Sequence, residues 1–207
     1  MWTKGIDVGK AFDCGSPSPA LMQEIEAGRV PTGRALVPGC GRGYDVFALA
    51  DKDRKAVGVE LAEVAVQEAR KCPTAGSCKA PENAEIIQGN FFDLDSLEKY
   101  NFIYDYTFLC ALDPSIRTDW AKKMADLCTP GGILMTLIFP IMEAKEGGPP
   151  FKVSLGLVES LLTSVGFTKL QCELLPPSLC HPGRGDGSVA NFDGNPLSGI
   201  GRWRRDE

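Results

Sequence analysis

The sequence predicts a doubly wound α/β fold, with a mostly parallel seven-stranded sheet and helices on both faces, on three observations. Short apolar runs alternate with stretches of helical periodicity, and such β–α–β units require right-handed crossovers between parallel strands. The runs are brief and solidly hydrophobic, as strands buried on both faces are. The first of them, Ala35-Leu36-Val37, leads into three closely spaced glycines, Gly39, Gly41 and Gly43, where a sheet of this kind places its ligand crevice.

The elements follow in order. Ser18 as cap, Pro19 at the first helical position and Gly28 as terminator predict a helix over 18–28. Arg34–Pro38 reads as the first strand, and Gly43–Asp51 as a helix with Val46, Leu49 and Ala50 on its inner face. Ala56–Val59 is the second strand and Leu61–Cys72 the next helix. Pro73, Gly76 and Pro81 mark 73–83 as a surface loop. Ala84–Phe92 and Phe102–Leu109 are the third and fourth strands. A helix over Arg117–Cys128 stops at Thr129-Pro130-Gly131-Gly132, and the fully apolar Ile133–Phe139 is the fifth strand. Gly147-Gly148-Pro149-Pro150 is a loop, and Ser154–Val165 a helix closing at Gly166. Lys169–Leu175 and Ile200–Arg205 complete the seven strands, separated by a Gly/Pro/Asn-rich excursion. No repeat or composition shift divides the chain, so one domain over 1–207 is expected.

At 207 residues the chain is long enough to bury a substantial core. Its net charge of −5 argues against a nucleic-acid-binding face. The one basic cluster, Arg202, Arg204 and Arg205, has the alternation of a strand's exposed face. No apolar run approaches the ~18 residues of a membrane span. The first residues, Met1 to Asp7, lack a signal peptide's apolar stretch. Eight cysteines form no Cys-x-x-Cys pair and His181 is the only histidine, so no metal site is expected. Cys110, Cys128 and Cys172 sit in apolar-periodic segments and read as small, reduced hydrophobes, consistent with a cytoplasmic protein.

The run Leu36-Val37-Pro38-Gly39-Cys40-Gly41-Arg42-Gly43-Tyr44 makes the fold Rossmann-like. The glycines remove Cβ atoms where backbone turns tightly or touches a ligand. A dinucleotide turn prefers G-x-G-x-x-G, but Tyr44 occupies its third glycine position and Gly43 comes one residue early. That spacing suits an amino-acid ligand carrying a sulfonium better than a pyrophosphate. Glu60, 21 residues after Gly39, stands at the interval expected for a carboxylate on ribose hydroxyls. Its alternative role is to cap the following helix. The third strand ends at Gly89-Asn90-Phe91, where Asn90 can bond a base edge and Phe91 offers either an apolar face to the base or core packing. Tyr106, at the end of the fourth strand, is placed towards the methionine end. Asp105 is either a strand-end hydrogen-bonder or a structural cap.

These residues fall in blocks that resemble the plant and fungal thiol/halide methyltransferases, relatives of thiopurine S-methyltransferase and class I S-adenosylmethionine (SAM)-dependent enzymes. The blocks are Ala35–Val46, Phe12-Asp13-Cys14-Gly15-Ser16-Pro17-Ser18-Pro19, Asp105–Pro114, Phe139-Pro140-Ile141 with Gly147–Val153, and Gly201-Arg202-Trp203. The resemblance implies SAM contacts from Trp2, Phe12, Gly39, Glu60, Asn90, Phe91 and Tyr106, joined by Gly41 and Gly43 of the turn. Two departures stand out. The family usually has tryptophan at the position of Phe12, and an acidic residue is common at that of Asn90. A helix that precedes Trp2 in the family is expected to be missing. Residues 1–17 are then the cofactor-covering segment, and 141–153 and 176–198 are active-site or surface loops.

The implied reaction is methyl transfer to a small thiol or hydrosulfide, or to halide, leaving S-adenosylhomocysteine. A partly ionised thiol needs little base catalysis, in keeping with the lack of a strong general-base candidate. Tyr106, Tyr44 and Arg117 are candidate orienting groups, with Tyr106 and Arg117 as the catalytic assignments, and His181 lies in a loop expected to be peripheral. A monomer acting on a small molecule, without nucleic-acid or membrane partners, is expected. The alternatives are an O- or N-methyltransferase of a secondary metabolite and a SAM-binding protein that has lost turnover.

Overall fold

The computed structural model describes residues 7–71, 79–142, 147–185 and 197–207. Trp2, predicted as a cofactor contact, lies outside them. The seven strands run in the order β3-β2-β1-β4-β5-β7-β6. They are β1 (Gly33–Pro38), β2 (Arg54–Glu60), β3 (Ala84–Gln88), β4 (Tyr100–Tyr106), β5 (Cys128–Ile141), β6 (Phe167–Leu174) and β7 (Leu197–Arg205). The helices are α1 (Pro19–Glu26), α2 (Tyr44–Leu49), α3 (Glu63–Lys71), α4 (Arg117–Leu127) and α5 (Leu155–Thr163). No helix among the described residues is long and apolar enough to cross a membrane.

The chain divides into two compact units, 1–102 and 103–207, with the boundary inside β4. In the first, β1, β2 and β3 pair in parallel, with Leu36 opposite Val57 and Gly58 opposite Ile86. Leu21 of α1, Leu36 of β1, Val46 and Leu49 of α2 and Val57 of β2 are buried to within 1% of full exclusion. Each such side chain stabilises the unit by about 1.5–3 kcal/mol. Ser18 caps α1 as predicted, its hydroxyl accepting from the Leu21 amide at 3.4 Å.

In the second unit β7 lies between β5 and β6 and is antiparallel to both. Trp120, Met124 and Leu127 of α4 and Leu134 of β5 are fully excluded from solvent, as is Trp203 of β7. Thr129-Pro130-Gly131-Gly132 does stop α4, but it is not a loop. Cys128 already has extended dihedrals, so the helix passes straight into a strand of 14 residues. Two other ends fall short of expectation. β3 stops at Gln88 because Asn90 turns the chain, its side chain accepting from the Phe92 amide at 3.2 Å. β4 stops at Tyr106 because Thr107 takes a left-handed φ of 62°.

Candidate cofactor and acceptor sites

The glycine turn sits directly after β1. Gly39, Gly41 and Gly43 all have positive φ, between 53° and 76°, which side chains with a Cβ rarely adopt. A Cβ on Gly43 would also press on Ile86 and Phe47 at 3.0 and 3.1 Å. The turn packs on β2 through Cys40, whose thiol would meet a Cβ at Gly58 at 2.6 Å. Gly58 is thus required by the turn above it.

Glu60 ends β2 and is 8% exposed. One carboxylate oxygen accepts from the Gly41 amide at 3.1 Å, the other from the Ala62 amide at 2.9 Å. The capping role and the approach to the turn are therefore both realised. An ionised carboxylate has about four lone-pair sites. Two remain, which fits the vicinal hydroxyls of a ribose. The Gly89 amide donates to the Glu60 carbonyl at 3.0 Å, bringing the 89–91 turn beside Glu60. Phe91 is buried, edge-on to Phe92 at 5.2 Å, whereas Asn90 is exposed and its side chain is engaged in its own turn. Phe12 is half-buried in a short loop ahead of α1.

Tyr44 and Asp45 open α2. The Tyr44 hydroxyl reaches Asp13 at 3.3 Å, a structural contact. Asp45 accepts from the Ser18 amide at 2.8 Å, and burial pushes its pKa up to about 6. A raised carboxyl pKa means the fold favours the protonated form, so stability is fullest below the unfolded value near 4 and is lost as pH rises through 6. Asp45→Asn keeps an acceptor for Ser18 without the charge. It should stabilise the protein by about 1–3 kcal/mol at pH 7.5, with the gain vanishing near pH 4. Urea melts at the two pH values check this, and an equal effect at both would refute it.

The second unit holds a separate cluster. The Tyr106 hydroxyl and His181 Nδ1 lie 3.0 Å apart, and their rings stack at 5.5 Å and 3°. The Arg184 guanidinium lies 5.6 Å from the Tyr106 ring and 5.3 Å from that of Phe139. His181 and Arg184 are 4% and 5% exposed. The Arg184 carbonyl accepts from Ser198 Oγ at 2.7 Å, which anchors the loop to β7. His181, expected to be peripheral, is thus a neighbour of Tyr106. Arg184 had no sequence signal beyond its place in His181-Pro182-Gly183-Arg184-Gly185.

Asp105 accepts from Trp120 Nε1 at 2.8 Å and from the Leu109 amide at 3.2 Å. It is both strand-end bonder and cap, and burial raises its pKa to about 6. The Cys110 thiol is pushed up to about 12, first by burial and then by Asp105, so it is inert as a nucleophile. The six described cysteines are thiols.

Arg117, at the start of α4, is 8% exposed and lines a cavity of about 600 Å³ with Pro114, Met142, Phe151, Val153 and Leu157 among its walls. Nη2 donates to the Lys152 carbonyl at 3.0 Å, while Nε has no hydrogen-bond partner. Burial holds its pKa below the usual guanidinium value. A cavity of this size with apolar walls and one buried cation can hold a small organic anion.

Parallel strands leading into a positive-φ glycine turn, with a buried acid at the end of the second strand, form the ligand edge of a nucleoside-binding Rossmann-like fold. The fold agrees with that of the glycopeptide N-methyltransferase MtfA complexed with sinefungin, at a TM-score of 0.70 and 13% identity over 97% of this chain and 91% of that one. The family model for thiopurine S-methyltransferase matches residues 2–175. The chain is 37% identical over 206 residues to a probable thiol methyltransferase 2 of Arabidopsis thaliana, covering 99% of this chain and 84% of that protein. It is also 37% identical to thiocyanate methyltransferase 1 of Brassica oleracea, over 99% of this chain and 82% of that one. The chain belongs to the thiopurine S-methyltransferase family.

Proposed function

We propose that the protein is a SAM-dependent S-methyltransferase of small thiols or hydrosulfide. The observation that carries this reading is Glu60, buried at the end of β2, bonded back to the Gly41 amide and retaining acceptor capacity. Support for the acceptor comes from the thiol and thiocyanate methyltransferases to which the chain is similar.

SAM supplies its methyl group as a sulfonium substituent, open to in-line displacement by an anion about 3–3.5 Å away. Glu60 binds the ribose hydroxyls, Gly39 to Gly43 give the backbone close approach, and Phe91 with Asn90 borders the adenine. Tyr106 orients the reacting end. Arg184 supplies fixed positive charge that favours the ionised form of an incoming thiol. His181 holds the Tyr106 hydroxyl in place and is the group within reach to take up a proton from it. Arg117 orients acceptors that carry a second anionic group. The thiols of the described cysteines support a cytoplasmic location.

Calorimetric titration with S-adenosylhomocysteine, then methyl-transfer assays with hydrosulfide, aromatic thiols and iodide, test this reading. Micromolar binding with turnover of a thiol is the expected result. Binding without transfer to any of the three would move the assignment to another acceptor or to a retired enzyme.

A further inference from the structure

Asp13 is a charged residue that no catalytic role explains, yet its carboxylate accepts from four donors. Its side chain is 2% exposed. One oxygen accepts from the Gly15 amide at 2.8 Å, the Gly9 amide at 3.1 Å and the Tyr44 hydroxyl at 3.3 Å. The other accepts from Arg42 Nε at 2.7 Å. Arg42 is the residue between Gly41 and Gly43, and its Nη1 reaches on to Glu68 of α3 at 2.9 Å. The loop so gathered contains Ala11, at a left-handed φ of 53°, immediately before Phe12. A non-glycine residue in that region costs on the order of 1 kcal/mol and persists only where its surroundings over-determine it.

We propose that Asp13 is a positioning residue for the cofactor. It fixes the glycine turn through Arg42 and, through the Gly9 and Gly15 amides, holds the Phe12 loop against that turn. The geometry has the form such a role needs. A single buried carboxylate joins two segments 29 positions apart, one bearing the flexible glycines and the other a strained aromatic loop. A glycine turn costs conformational entropy to order. An ion pair that orders it before binding removes that cost from the association step. The inference rests on the proposed SAM site.

The test is S-adenosylhomocysteine affinity by calorimetry, measured with thermal melts on the same samples. Asp13→Asn leaves one acceptor oxygen but breaks the pair with Arg42, and its affinity should fall tenfold or more. Arg42→Met should fall by a similar factor. The double variant should lose less than the product of the two single losses, because both break the shared Asp13–Arg42 contact. A purely structural Asp13 would lower the melting temperature and leave the affinity of the folded protein within twofold of the parent, which overturns the proposal. Additive losses overturn it too, since the residues would then act separately. Should Asp13→Asn fail to fold, Arg42→Met carries the test with the same thresholds. If the parent protein itself does not bind, the cofactor reading fails first and the inference with it.

Discussion

Replacing Glu60 with alanine should weaken S-adenosylhomocysteine binding by about 100-fold or more. Two charge-assisted hydrogen bonds to ribose hydroxyls are worth about 1.5–3 kcal/mol each, and every 1.4 kcal/mol is a factor of ten. The variant also strips the Gly41 and Ala62 amides of their acceptor, loosening the turn. Glu60→Gln separates these effects. It keeps one carbonyl oxygen and most of the shape but sets an NH2 against one of the two amides, so its loss should be nearer tenfold, with some fall in the melting temperature from the amide left unpaired. Calorimetry and circular dichroism melts on the same preparations check both. Undiminished affinity in Glu60→Ala would remove Glu60 from the cofactor site.

Arg184→Met should lower kcat/KM for hydrosulfide by about 30- to 100-fold, the loss expected for a buried charge that meets an anionic nucleophile. Methionine fills much of the space between the Tyr106 and Phe139 rings, so the protein should remain folded. Affinity for S-adenosylhomocysteine should stay within about twofold. Arg184→Lys should recover only part of the rate, because an ammonium lacks the planar fork that stacks between two rings. A variant with unchanged turnover would show that the cation serves packing alone.

Much of this architecture was legible in the sequence because apolar runs, glycines and caps act locally. Among the described residues, the seven strands and five helices overlap the segments where alternation and stop signals predict them. The proposal of Glu60 rests on its interval from Gly39, and that interval is physical: it is the length of one helix and one strand returning to the same edge. The misplaced ends have local causes that a hydropathy pattern does not carry. The Asn90 side chain turns β3 aside before Phe92, and Thr107 adopts a left-handed φ although threonine disfavours it. The cluster of Tyr106, His181 and Arg184 was half seen. Tyr106 follows an apolar strand and is found by position, whereas its partners are 75 or more residues away in an irregular loop. Asp13 is legible only as part of a family block, because the donors that converge on it come from turns and from the start of α2.

The place of β7 bears on how the protein is made. Residues 197–205 are synthesised after β5 and β6, yet both of those strands pair with it. Neither ladder can close while that segment is still inside the ribosome. The first unit, with β1 to β3 paired among themselves, is free to fold during translation. The second waits until that segment has emerged. During that interval the apolar β5 presents an unpaired edge.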